Sequence, residues 1–231
     1  MRRAGRFFTF CAALFVWAGG PDAAEIRAAR YSEPTTRYDH GVLGDAVEWG
    51  ALELEAGGRR YVIRLPDSRV FEDLGPRILP GGAAVAVVET DLGAGARLAV
   101  YGPEGVIAAT PFIGRPHRWL APVGAADLDG DGVIEIAYVD RPHLAKVLRI
   151  WRFEDGALRH AADIPGLSNH QIGWDHIPGG IRDCGEGPEM ITANGDWTAV
   201  MATRWDGTRA ASVRLGAYSG PASLDRALNC N

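Results

Sequence analysis

Asp127-Leu-Asp129-Gly-Asp131-Gly-Val133-Ile-Glu135 sets four carboxylates at alternating positions, with glycines that let the backbone bend between them. If that backbone coils, the side chains at the first, third and fifth positions converge. The Val133 carbonyl supplies a seventh-position oxygen and Glu135 closes the shell from the ninth. So many protein oxygens suit the six to eight ligands of calcium better than the smaller, water-retaining shell of magnesium. An EF-hand is excluded, because its twelfth position needs a bidentate Glu and here holds Tyr138. The flanks also read as strands. Val133–Val139 is rich in β-branched and aromatic residues, and Trp119–Ala126 is apolar and poor in helix formers. The competing reading is a solvated acidic turn, but turn chemistry alone does not call for three alternating Asp followed by Glu.

The rest of the composition agrees with a β protein. A chain of 231 residues that is 47% hydrophobic and 23% charged can bury a sizeable core. Its 30 glycines, 14 prolines and seven tryptophans suit many tight turns between strands rather than helices. Arg2, Arg3 and Arg6 precede an apolar run from Phe7 to Gly20, and Pro21-Asp-Ala-Ala24 follows with small residues. Residues 1–24 therefore read as an export signal cleaved near Ala24, which places the mature chain 25–231 in the periplasm or outside the cell. No later segment is apolar enough to cross a bilayer. The mature chain keeps 21 basic against 28 acidic residues, a formal charge of −7. That balance argues against a nucleic-acid partner. Export leaves two cysteines, Cys184 and Cys230, in an oxidising compartment that permits them to pair; two separate thiols fit the sequence equally well.

Repetition shows at the turns. Gly105, Gly156 and Gly207 are 51 residues apart, each after an acidic residue, and Gly57-Gly58 falls near the same spacing. Each joins two alternating apolar segments, which predicts four hairpins: 51–55 with 61–65, 98–101 with 106–112, 147–153 with 158–164, and 199–205 with 209–215. The acidic loop recurs in stripped form as Asp91-Leu-Gly-Ala-Gly95 and Asp183-Cys-Gly-Glu-Gly187. A strand, an acidic glycine loop, a second strand and a hairpin make a four-stranded antiparallel unit that cannot bury both faces alone. Radial packing of such units predicts an all-β β-propeller of four blades, with five short blades as the alternative. The repeats run roughly over 39–80, 81–116, 117–166 and 175–217, in a single domain spanning 25–231.

These residues resemble the FG-GAP repeats of integrin-type β-propellers, also called VCBS-like repeats in bacterial secreted proteins, most closely at Ala125–Val139. The resemblance implies calcium at a blade edge, held by Asp127, Asp129, Asp131, Val133 and Glu135. It names no function. Four like charges in nine residues repel one another without a cation, so such an ion is expected to have a structural role.

Catalytic signals are sparse. Asn169-His170-Gln-Ile-Gly-Trp174-Asp175-His176 gathers two imidazoles and an acid, but no Ser or Cys nucleophile motif accompanies it. His170, Asp175 and His176 are thus the candidates if the protein is an envelope hydrolase. Arg115-Pro-His117-Arg118-Trp119 could hold an anionic or sugar-like ligand on a propeller face, and otherwise is a proline turn with polar tips. The leading expectation is a non-enzymatic module that presents loops to a protein or glycan partner; a purely architectural module is the third possibility.

Overall fold

In the computed structural model, which describes residues 24–231, the period-two pattern becomes seventeen strands and one short α-helix. The export-signal reading of residues 1–24 falls outside the described residues except for Ala24. Strands β1 (Ile26–Thr35), β2 (Glu48–Ala56), β3 (Arg59–Arg64), β4 (Arg69–Phe71), β5 (Arg77–Ile78), β6 (Val85–Asp91), β7 (Gly95–Gly102) and β8 (Gly105–Ala109) form one eight-stranded sheet. Strands β9 (Leu120–Ala126), β10 (Ile134–Asp140), β11 (Val147–Glu154) and β12 (Ala157–Pro165) form a four-stranded meander. Strands β13 (Leu167–Ser168), β14 (Gly180–Asp183), β15 (Pro188–Asn194), β16 (Ala199–Trp205) and β17 (Ala210–Ala217) make a five-stranded sheet, followed by helix α1 (Pro221–Leu228). All pairings are antiparallel.

The expectation of four separate four-stranded blades is corrected by these counts. The third repeat alone, 117–166, is a free-standing four-stranded sheet. The first two are fused because the short, buried β4 uses both its edges, pairing Phe71 with Trp49 on β2 and with Glu89 on β6. Strand β1 precedes the expected first repeat, and β13 adds a strand to the fourth. A closed ring is not seen among the described residues. All four hairpins form, at β2–β3, β7–β8, β11–β12 and β16–β17. The Asp91 loop, however, joins β6 directly to β7, the second and third strands of its unit. The Asp127 loop joins the first and second, as the Asp183 loop does. Asp91 Oδ1 accepts the Gly93 and Ala94 N–H groups at 3.0 Å, so it closes a tight hairpin turn and is no counterpart of the acidic loop.

The inner strands are buried on both faces, and alternation sends successive residues to different cores. On β6, Val85 and Val87 join Leu52, Leu54, Phe71 and Tyr101, while Ala86 and Val88 join Leu98, Leu120 and Ile136. On β10, Ile136 and Tyr138 face that second core, while Ala137 and Val139 pack with Leu148, Ile150 and Met190. On β15, Ile191 turns away from Met190 to meet Val200, Leu224 and Ala227. The sheet units thus stack face upon face, and helix α1 covers the outer face of the last. Each fully buried Leu or Ile contributes about 1.5–3 kcal/mol to that stacking.

Candidate functional site

The acidic loop is built by its own backbone. Asp127 Oδ1 accepts the N–H groups of Gly130 (2.8 Å) and Asp131 (3.1 Å), and its Oδ2 accepts that of Gly132 (2.9 Å). Such wrapping needs left-handed backbone at Gly130 (φ 80°) and Gly132 (φ 91°), which glycine adopts without the Cβ clash of other residues. Leu128 points into the core shared with Trp205, and its N–H donates to Glu135 Oε2 at 2.9 Å. Asp129 rests on the β16–β17 turn, where a Cβ at Gly207 would come within 2.8 Å of its Oδ2.

One oxygen from each of Asp127, Asp129 and Glu135 lies within 4.8 Å of the others. Two oxygens bound to one calcium at 2.3–2.6 Å can be at most about 5 Å apart, so this donor set fits the protein part of a calcium shell. Asp131 lies outside the trio. Its Oδ1 accepts the Val133 N–H at 3.0 Å and its Oδ2 meets Arg152, which holds its carboxyl below the usual carboxylate range. Arg152 stands opposite Glu135 on β11 and bonds it at 3.1 Å, with Asp129 Oδ2 at 3.5 Å. The Glu135 side chain is fully buried. Burial, with help from Asp129 and Asp131, pushes its carboxyl up despite the Leu128 N–H.

The fourth unit shows what the third lacks. Asp183 Oδ1 accepts the Gly185 and Gly187 N–H groups, and Glu189 occupies the place of Glu135. There Arg182 (2.7 Å) and Arg204 (3.1 Å) both bond the buried carboxylate. In the third unit a single guanidinium meets Asp129, Asp131 and Glu135 and none meets Asp127, so its excess negative charge is the larger.

Cys184 and Cys230 form a disulfide with Cα atoms 5.9 Å apart, which ties the β14–β15 turn to the end of α1. Compared with protein-family models, curated proteins and solved structures, the chain matches none.

The histidine loop divides its polar groups between two sets of contacts. Buried His170 donates from Nε2 to the Trp174 carbonyl (3.0 Å), so its Nδ1 accepts from His143 Nε2 (3.0 Å) and neither ring nitrogen is free. Burial pushes His143 down to about 4, which keeps it neutral near pH 7. Asp175 and His176 pair with each other at 3.0 Å on the surface. The Arg115–Trp119 segment is also more structural than its residue types suggest. Trp119 is buried and donates Nε1 to the Glu72 carbonyl at 2.8 Å. His117 Nε2 lies 3.0 Å from Asp39 Oδ1, Arg118 bonds the His117 carbonyl, and the Arg115 carbonyl packs against Gly95. Sequence reading missed the buried Glu72, whose carboxylate meets His40 Nδ1 at 2.5 Å and Thr90 Oγ1 at 2.6 Å. Its partners lie 32 and 18 residues away, with no local motif to mark them.

Proposed function

We propose that this protein is an exported, non-catalytic binding module of FG-GAP/VCBS type, an open propeller-like arc of sheet units whose third unit is locked by a structural calcium ion. The observation that carries this reading is the convergence of Asp127, Asp129 and Glu135 oxygens around a loop that has one arginine for four carboxylates. Calcium would add positive charge where burial otherwise penalises Glu135, and would clamp β9 to β10 through the loop that joins them. Successive two-faced cores support the propeller-like reading, because each unit buries its faces only against its neighbours. Export rests on the sequence of residues 1–24. The partner is a protein or a glycan. Among the described residues, no helix is long and apolar enough to cross a membrane.

Sites of this kind on extracellular modules bind calcium at about 10⁻⁴–10⁻³ M. Calcium at about 10 mM should therefore raise the melting temperature over that in chelator by about 3–10 °C. Coincident melting curves would contradict the reading.

A further inference from the structure

A cleft lies between the β6–β8 and β9–β12 units, with a volume of about 230 Å³. At about 30 Å³ of liquid volume per water, it has room for roughly eight waters, or a ligand of about ten non-hydrogen atoms. Three guanidiniums line it, those of Arg97, Arg141 and Arg149, with the carboxylate of Asp140, and Asp163 stands 3.7 Å from Arg149 Nη1. Arg97 is committed to Glu89, with bonds at 2.8 and 3.1 Å, and stacks 4.4 Å over Phe112. Asp140 accepts Nε and Nη2 of Arg141 (2.9 and 2.8 Å) and Nη2 of Arg149 (3.1 Å), so one buried acid is shared by two cations. Arg149 Nε is buried and has no hydrogen-bond partner. Sealed from solvent, that atom is closed to a ligand as well, whereas the Arg141 side chain, 34% exposed, keeps a guanidinium edge that Asp140 does not use.

The other walls define the rest of the ligand. Trp151 Nε1 donates to the Tyr138 hydroxyl at 3.1 Å, so that hydroxyl is left to donate its own proton elsewhere. Burial pushes the Tyr138 phenol up to about 12, and it stays protonated near neutral pH. Leu120 and Ile113 supply apolar wall. Arg141 holds its backbone in the left-handed region (φ 44°), a cost of a kind that tends to persist at ligand sites.

We propose that this cleft binds a small organic carboxylate, received by the remaining edge of the partly exposed Arg141 guanidinium, with the Tyr138 hydroxyl as a second donor. Planar carboxylates match the guanidinium fork, and a body with an apolar or ring face suits the Trp151 side. The inference deepens the binding-module reading and rests on it, but it does not depend on calcium at the Asp127 loop.

The test follows the Trp151 indole N–H resonance of ¹⁵N-labelled protein, with and without calcium, during titration with benzoate, D-glucuronate and inorganic phosphate. A ligand of this size should bind with a Kd of about 1 mM or tighter. At least one carboxylate should shift the resonance saturably while phosphate does not. Arg141→Met and Arg141→Lys should each weaken that carboxylate at least tenfold, with the remaining spectrum showing that the variants are folded. If neither carboxylate moves the Trp151 signal, if phosphate moves it equally, or if both variants bind like the parent, the proposal is overturned. A calcium-dependent melting shift that survives such a failure would leave the Asp127 site standing and remove only the cleft.

Discussion

Reducing the Cys184–Cys230 bond should lower the melting temperature by about 8–16 °C. The cysteines are 46 residues apart, and cross-linking a loop of that length removes chain entropy from the unfolded state worth about 4 kcal/mol. At about 2–4 °C per kcal/mol for a chain of this size, the shift follows. Its structural origin is local. The bond holds the end of α1 beside the Asp183 turn, and α1 buries Leu224 and Ala227 against Ile191, Val200 and Ala202. Without the bond that face is the first to open, and the Trp197–Tyr218 pair packed against it, with ring centroids 5.0 Å apart, reports the opening in near-ultraviolet circular dichroism. Melting in reductant and of Cys230→Ser checks both parts. A loss below about 2 °C would mean that α1 docks without help from the bond.

Arg152→Met should cost far more stability in chelator than in calcium. Without calcium the substitution leaves the fully buried Glu135 with no cation beside Asp129 and Asp131, and the melting temperature should fall by about 6–12 °C. Burial already disfavours the charged form of Glu135, which limits that fall. With calcium most of the loss should return, since the ion takes over the charge and no longer competes with a guanidinium for the same oxygens. The calcium-induced shift of the variant should therefore exceed that of the parent protein. Equal shifts in both proteins would show that Arg152 and the ion do not share a site.

Local chemistry made the loop and the hairpins legible in the sequence. The Asp-Gly alternation at 127–132 and the glycine turns at 57–58, 105, 156 and 207 each encode their conformation within a few residues. Where units join was hidden, because it depends on pairings between distant residues. Nothing in Arg69-Val-Phe71 announces that three residues will bridge β2 and β6, and the Asp91 turn carries the same Asp-x-Gly-x-Gly skeleton as Asp183 while sitting one strand later in its unit. Two-faced burial also obscured register. Val85–Val88 reads as one continuous apolar run although its residues serve two cores. Of the four acidic ligand candidates, the sequence showed the set but not the division of labour. Asp131 turns to Arg152, a residue 21 positions away, and only Asp127, Asp129 and Glu135 converge. The arginine cleft was invisible for the same reason, since Arg97, Asp140 and Arg149 come from three strands in two sheets.

Equilibrium dialysis against calcium tests the cation site most directly. The parent protein should bind about one ion per chain at millimolar calcium, and Asp127→Asn combined with Asp129→Asn should abolish that binding while leaving the disulfide-dependent part of the stability intact. Absence of bound calcium in the parent, or the same stoichiometry in the double variant, would contradict the assignment of Asp127, Asp129 and Glu135 as its ligands.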